Sequence, residues 1–309
     1  MDTSAEDARL NRARRAFGLP PSTGAPAVPL AGDVGQRRYF RVSSRGHASV
    51  LLVLYPSPAS AAQSSWREIG GALAEAGVRV PELLDDAPDL GAALVEDLGD
   101  VDLAAEIRSA PPEDRPGLLD EAERLLDSVR AVDPDAARRN PPFDAAFFSS
   151  ELLHTRLWLL EAGGERPLPE GEAQRWDRDA GELARAAADA AAGRPVPTHR
   201  DFHANNLLRA ADGRLAAIDF QDLRLGPSDY DPVSLRFERA GALVPDDGSA
   251  WSEAVLLQRA WKVLGTFEKM LAKGREIYRP HRNTAVAVIR RHTRPSGPFA
   301  PLLAFLPPA

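Results

Sequence analysis

The chain reads Thr-His-Arg-Asp-Phe-His-Ala-Asn-Asn from residue 198 to residue 206, and Ile-Asp-Phe from residue 218 to residue 220. Between these stretches, residues 207–208 and 215–218 have the apolar pattern of two short strands, which an Asp-Gly turn joins. An Asp, an Asn five residues later, a strand pair and a second Asp follow the order of groups in a phosphoryl-transfer loop. The segment therefore predicts that type of chemistry.

Phosphoryl transfer requires an oriented hydroxyl, a group that accepts its proton, and metal ions that neutralise the phosphates. We assign Asp201 as the catalytic base, and Asn206 and Asp219 as the metal ligands. Ligands that are all oxygen atoms suit Mg²⁺, which keeps waters and phosphate oxygens in its remaining positions. We expect His199 to hold the loop by hydrogen bonds and to take no part in the chemistry.

Upstream of this segment, apolar and β-branched runs predict strands at residues 38–42, 49–55, 78–80 and 92–96, with one helix from Trp66 to Ala76. Downstream of residue 98, apolar residues recur mostly at helical spacing. We therefore predict an α+β fold with two domains. Residues 1–97, of which 1–30 are partly irregular, form a small antiparallel-sheet lobe, and residues 98–309 form a larger, mainly helical lobe that includes a helix over 144–162.

The bulk composition is that of a globular protein with a small-molecule partner. The 309 residues carry a formal net charge of −7, which opposes attraction to nucleic acid or to an anionic membrane. The chain has no cysteine, no apolar run long enough to span a bilayer, and no apolar signal region near its start. We expect a cytoplasmic protein that binds neither nucleic acid nor membrane.

The motifs together resemble the aminoglycoside phosphotransferase branch of the protein-kinase-like fold. A longer string narrows the resemblance to the kinases that phosphorylate the anomeric hydroxyl of N-acetylmuramate and N-acetylglucosamine in cell-wall recycling. The resemblance extends from about residue 30 to about residue 290 and rests on these segments: 37–41, 96–99, 199–206, 218–222, 226–227, 230–231, 258–259 and 262–265.

The resemblance implies a two-lobed phosphotransferase that uses ATP and Mg²⁺ and acts on a sugar. It places adenine against the backbone near Glu96 and Leu98. It also implies that Asp231 supports the catalytic loop and does not contact the substrate.

One departure from the kinase pattern concerns the lysine on the third strand, which holds the α- and β-phosphates. The chain has three lysines, all after residue 261, and its third strand reads Leu-Leu-Val-Leu-Tyr over residues 51–55. Arg38 and Arg41 on the preceding strand are the nearest cations that could replace it. The alternative, that both are solvated strand arginines, stays open.

The substrate contacts are predicted from polar residues near the loop and on two helices. The candidates are Glu151, Gln221, Asp222 and Arg259. A polycationic aminoglycoside would require a dense acidic patch, which the mixed charges of this set disfavour. The acceptor could also be choline or another hydroxylated metabolite, and a nucleotide-binding pseudokinase is a further alternative that the missing lysine raises.

Overall fold

The computed structural model describes residues 3–20, 26–30, 37–44, 47–191, 193–245 and 248–308. The strands in these ranges are β1 (Val28–Pro29), β2 (Arg38–Ser44), β3 (His47–Leu54), β4 (Leu83–Ala87), β5 (Ala92–Glu96), β6 (Val196–Thr198), β7 (Leu207–Arg209), β8 (Leu215–Ala217) and β9 (Arg224–Gly226). The α-helices are α1 (Thr3–Ala16), α2 (Pro58–Ala62), α3 (Trp66–Glu75), α4 (Leu103–Ser109), α5 (Arg115–Arg130), α6 (Pro134–Ala137), α7 (Ala145–Thr155), α8 (Glu170–Asp189), α9 (Tyr230–Phe237), α10 (Glu253–Ala272) and α11 (Arg279–His292).

The chain forms two compact units, and each unit is made of two separate stretches of sequence. The first contains residues 1–100 together with 208–221, and the second contains residues 101–207 and 222–309. The β7–β8 hairpin joins the first unit because Ala217 N–H donates to the Arg79 carbonyl at 2.8 Å. That use of the Arg79 backbone, together with the missing N–H of Pro81, explains why the strand expected at 78–80 does not form.

The first unit is built on a five-stranded antiparallel sheet with the strand order β1-β2-β3-β5-β4. Arg38 lies opposite Leu54 and Arg41 opposite Leu51, so β2 and β3 run as a hairpin in regular register over this part. The sheet and the mainly helical second unit confirm the predicted α+β class.

The two faces of β2 carry different side chains because successive residues of a strand point to opposite sides. Phe40 and Val42 are buried against apolar side chains of α1. Tyr39 and Arg41 therefore share the other face of the sheet, and Arg37, the residue before β2, contacts Tyr39. This alternation determines which cations of β2 lie on the same side of the sheet.

The core of the second unit is centred on α10, most of whose side chains are buried. The Thr155 hydroxyl of α7 donates to the Trp261 carbonyl at 3.0 Å, and a Cβ at Gly265 would lie 2.5 Å from the Thr155 Cα. The glycine therefore allows α7 and α10 to pack at close range. The helix expected over 144–162 is α-helical only to Thr155, and a π-helical turn continues it to Leu160.

None of the helices that the structure describes is long and apolar enough to cross a membrane.

Candidate phosphoryl-transfer site

The loop after β6 is held by a buried carboxylate. Asp231, at the start of α9, accepts the backbone N–H of His199 at 2.6 Å and that of Arg200 at 3.0 Å. Burial raises the pKa of Asp231, and the two N–H donors and the nearby His199 oppose that shift. Arg200 has a φ of 80°, in the left-handed region that costs a non-glycine residue about 1–2 kcal/mol. The contacts of Asp231 are those expected of a residue that supports the loop.

His199 is itself buried, and its ring meets the Phe202 ring edge-on with 5.7 Å between centroids. Its backbone N–H is the group that Asp231 binds. Its burial supports a role in the framework of the loop, which stays a prediction.

Asp201 is the loop carboxylate with a partly exposed side chain, 26% of which is accessible. Its Oδ1 accepts two hydrogen bonds from α10, one from Arg259 Nη2 and one from Lys262 Nζ, both at 3.1 Å. Burial alone would raise the pKa of Asp201. The charges of Lys262, Arg259 and Arg200 outweigh burial and hold the pKa well below its usual range. The side chain is therefore a carboxylate at neutral pH.

Arg259 is fully engaged in contacts within the protein. Its two terminal nitrogens contact the Arg200 carbonyl at 2.7 Å, the Tyr230 hydroxyl at 3.2 Å, Asp201 at 3.1 Å and Glu238 at 3.2 Å, while its Nε donates to Glu238. An arginine has five N–H donors, and these contacts account for all five. Arg259 therefore positions Asp201 and is not the substrate contact that we expected.

Asn206 lies at the end of the same loop. Its Nδ2 donates to the Asp201 carbonyl at 2.9 Å, which orients the amide and leaves Oδ1 as the atom suited to a cation. The next residue back, Asn205, donates to Asp102 at 2.7 Å and anchors the loop to the cap of α4. The loop thus presents one carboxylate and one amide oxygen.

The predicted substrate contact Glu151 lies inside a polar network. It is buried and accepts hydrogen bonds from Arg200 Nη2 at 3.1 Å and from Gln258 Nε2 at 2.9 Å. Arg200 also pairs with Asp222, which in turn accepts from Arg224 at 3.1 Å. One carboxylate oxygen of Glu151 is therefore used by Arg200 and the other by Gln258. This is a supporting role, which differs from the sugar contact that we expected of it.

Asp219 belongs to the first unit and lies two residues after the end of β8, with a φ of 61°. The adjoining Phe220 is buried edge-on against Trp66 of α3, with 5.2 Å between ring centroids. Ser65 donates to the Gln221 carbonyl at 3.1 Å. The start of α3 therefore fixes the turn that carries Asp219.

Beside Asp219 lies a cation that our sequence analysis did not select. With the Gln221 amide oriented to suit both neighbours, its nitrogen donates to Asp219 Oδ1 at 3.2 Å and its oxygen accepts from Arg37 Nη1 at 3.3 Å. The Arg37 guanidinium also lies over the Tyr55 ring, 5.4 Å from its centroid. Burial raises the pKa of Tyr39, and the charge and hydrogen bond of Arg37 oppose that shift. The alternation along β2 was the signal that could have separated Arg37 from Arg38.

The two cations that we did select have other partners. Arg38 lies on the face of the sheet that α1 covers, where it pairs with Glu6 at 2.9 Å. Arg41 binds Asp97 through Nε at 2.6 Å and Nη2 at 2.9 Å, and Asp100 through Nη1 at 2.7 Å and Nη2 at 2.8 Å. Neither arrangement matches the role of the missing lysine, nor is Arg41 a solvated strand arginine.

The segment expected to contact adenine is anchored on both sides. The Glu96 side chain pairs with Arg79 and accepts the Glu82 backbone N–H at 3.2 Å. Leu98 is buried against Ala210 and Ala216 of the hairpin. These side chains hold the strand end in place, so any contact with a base would fall to the backbone of this segment.

We predict that Arg41→Met destabilises the protein by about 1–2 kcal/mol near neutral pH, because the buried Asp97 loses a charged hydrogen-bond partner. Burial would raise the pKa of Asp97, but its hydrogen bonds from Arg41, Ser49 and Gly99 lower it overall, and Arg41 likewise lowers the pKa of Asp100. A carboxyl group whose pKa is lower in the folded than in the unfolded state stabilises the folded protein at pH values above its unfolded pKa. This stabilisation is lost as the pH falls through the pKa of the folded state.

Urea unfolding of the two proteins across this pH range measures the effect. The difference between wild type and variant should be full near neutrality and shrink in acid. Arg67→Met, which removes the exposed pair with Asp86, is the matched control and should change the stability by less than about 0.5 kcal/mol. A difference that does not depend on pH contradicts the assignment.

Two solved structures with a similar fold are named as an aminoglycoside phosphotransferase and a choline kinase. A thermostable mutant of aminoglycoside phosphotransferase APH(4)-Ia in its apo form has a TM-score of 0.61 and 17% identity, covering 92% of this chain and 98% of its own. Choline kinase LicA from Streptococcus pneumoniae has a TM-score of 0.60 and 12% identity, covering 93% and 99%. At these identities the likeness establishes the fold alone, and it confirms the predicted protein-kinase-like architecture.

Fold, loop and relatives together define a small-molecule kinase. The family model described as "phosphotransferase enzyme family" matches residues 26–267, and the chain belongs to this family. Two relatives are named N-acetylmuramate/N-acetylglucosamine kinase. The protein from Neisseria meningitidis serogroup B is 27% identical over 89% of this chain and 88% of its own length. The protein from Pseudomonas aeruginosa is 30% identical over 79% of this chain and 67% of its own length.

Proposed function

We propose that this protein transfers the γ-phosphoryl group of ATP to the anomeric hydroxyl of N-acetylmuramate, N-acetylglucosamine or a related amino sugar. The observation that carries the proposal is the loop carboxylate Asp201, ionised and partly exposed beside Lys262 and Arg259. Support for the acceptor comes from the two relatives, which bear this activity in their names and align with most of the chain. ATP is supported by a solved family structure described as a complex with ADP.

In the proposed reaction the sugar oxygen forms a bond to the γ-phosphorus, and the bond between that phosphorus and the β,γ-bridging oxygen breaks. Asp201 accepts the hydroxyl proton, and ADP is the leaving group. Asn206 and Asp219 are the metal ligands that the sequence motif predicts, and their amide and carboxylate oxygens are of the type that Mg²⁺ binds. Bound Mg²⁺ would supply neutralisation of the phosphate charge.

The charge next to the base supports an acceptor that is not a polycation. Lys262 Nζ lies 3.1 Å from Asp201 and its side chain remains 15% exposed. A cationic acceptor would bring its own charge towards this ammonium, whereas the lactyl carboxylate of N-acetylmuramate would be attracted to it. The Lys262 ammonium therefore favours a neutral or anionic sugar over an aminoglycoside or choline. We also propose that the reaction takes place in the cytoplasm as a step of cell-wall recycling; the absence of cysteine fits a reducing compartment.

The test is ATP consumption by the purified protein with Mg²⁺ on N-acetylmuramate, N-acetylglucosamine, other free sugars, an aminoglycoside and choline. The matched control is the methyl glycoside of N-acetylglucosamine, in which only the anomeric hydroxyl is blocked. We expect turnover of a free amino sugar, no turnover of its glycoside, and a phosphorus signal that couples to the anomeric proton. Turnover of the glycoside would show that another hydroxyl is phosphorylated. Turnover of choline or of the aminoglycoside alone would show that the acceptor is not an amino sugar.

A further inference from the structure

The first unit lacks a lysine at the position where kinases bind the α- and β-phosphates, since residues 51–55 are apolar or aromatic. The phosphates of ATP carry several negative charges, so a cation of this unit that faces them would compensate for that absence. A suitable cation must lie on the same face of the sheet as Asp219, the proposed metal ligand. It must also be able to direct its N–H groups towards a ligand.

The alternation of β2 limits the choice. Arg38 points to the face covered by α1, where its partner is Glu6. Arg41 lies on the opposite face, but its guanidinium makes four hydrogen bonds to the carboxylates of Asp97 and Asp100. Arg37 directly precedes β2, and its guanidinium contacts Tyr55, the residue that directly follows β3.

Arg37 is linked to Asp219 by one intervening side chain. The Gln221 amide bridges the two, at 3.3 Å from Arg37 Nη1 and 3.2 Å from Asp219 Oδ1. The partners that the guanidinium contacts among the described residues are the neutral amide of Gln221, the hydroxyl of Tyr39 and the ring of Tyr55. The guanidinium carbon lies 5.4 Å from the Tyr55 ring centroid, a cation–π contact, and none of these three partners carries a negative charge.

We propose that Arg37 is the phosphate-binding cation of this kinase, and that its guanidinium binds α- and β-phosphate oxygens of the nucleotide in place of the strand lysine. The inference rests on the proposed use of ATP. A planar guanidinium suits this task because it binds two phosphate oxygens with parallel N–H groups. The Gln221 bridge then couples the phosphate-binding cation to the carboxylate that would hold the metal.

The experiment is isothermal titration of ADP and of adenosine into wild type, Arg37→Met, Arg37→Lys and Arg38→Met. Losing a charged hydrogen-bond donor should weaken ADP binding roughly 10- to 100-fold in Arg37→Met. Adenosine affinity should not change, because adenosine has no phosphate. Arg37→Lys keeps the charge but loses the parallel N–H pair, so it should recover only part of the ADP affinity. Arg38→Met is the matched control, since it removes the neighbouring cation on the opposite face, and should bind ADP like wild type.

The outcomes separate this inference from the proposed function. Wild type that binds neither ADP nor ATP contradicts the proposed function. Wild type that binds ADP while Arg37→Met binds it equally well overturns the role of Arg37 and leaves the kinase assignment standing. Equal losses for ADP and adenosine in Arg37→Met also overturn it, because they indicate a distorted site. If Arg37→Met does not fold, as judged by its thermal unfolding, Arg37→Gln provides the same comparison while keeping a polar group beside Gln221.

Discussion

Asp201→Asn is expected to lower kcat by about 10²- to 10⁴-fold, the contribution typical of a positioned general base. The replacement keeps the size of the side chain and removes the oxygen charge that Lys262 and Arg259 hold at 3.1 Å. An amide cannot accept the sugar proton, so the loss should fall on kcat. The affinity for nucleotide should stay near that of wild type, because Asn206 and its hydrogen bond to the backbone carbonyl of residue 201 are retained.

The measurement is steady-state turnover on the best acceptor of the panel, with thermal unfolding to verify the fold. Asp144→Asn is a matched control because Asp144 caps α7 and asparagine caps a helix about equally well. It should leave turnover unchanged. Turnover of Asp201→Asn within a few-fold of wild type would remove Asp201 from the role of base.

Arg259→Met is expected to destabilise the protein by about 3–5 kcal/mol, the usual cost of leaving one partner of a buried ion pair alone. Arg259 and its partner Glu238 are both almost fully buried, with side chains 1% and 5% exposed. The change leaves the Glu238 carboxylate without its guanidinium and removes one donor from Asp201. We therefore expect lower stability together with a reduced kcat in the fraction that folds.

Urea unfolding of a double variant identifies the cause. Arg259→Met combined with Glu238→Gln removes the uncompensated charge and should recover about 1–3 kcal/mol relative to the single change. Arg279→Met, which removes an exposed pair with Glu276, should change stability by less than about 0.5 kcal/mol. A loss below about 1 kcal/mol for Arg259→Met would show that the buried pair does not stabilise the fold as these contacts imply.

The predicted catalytic segment could be identified from the sequence because its residues are close together along the chain. The interval between Asp201 and Asn206 places both on one loop, and the Asp-Gly turn closes the β7–β8 hairpin that leads to Asp219. Alternation and turn residues also predicted the β2–β3 pair and thereby the α+β class. The roles of Asp201, Asn206 and Asp219 in catalysis remain predictions that the proposed measurements test.

The positions of the sheet strands could be predicted less well. The segment 78–80 has strand-forming residues, yet its Arg79 carbonyl pairs with Ala217 of a hairpin more than a hundred residues away. The strand propensity of residues 78–80 competes here with the backbone N–H of Ala217, which is distant in sequence. The residues around Arg79 do not indicate that this donor will be nearby.

The sequence by itself determined the fold class, the order of the catalytic groups and the absence of a strand lysine. Only the tertiary structure decided which arginines are paired with carboxylates. Arg38 pairs with Glu6, and Arg41 pairs with Asp97 and Asp100. Arg259 pairs with Glu238 and Asp201. It also brought Arg37 to Gln221 and Asp219. The physical reason is that the local sequence around an arginine does not specify its partner. Its role depends on the carboxylates that packing brings within hydrogen-bond distance.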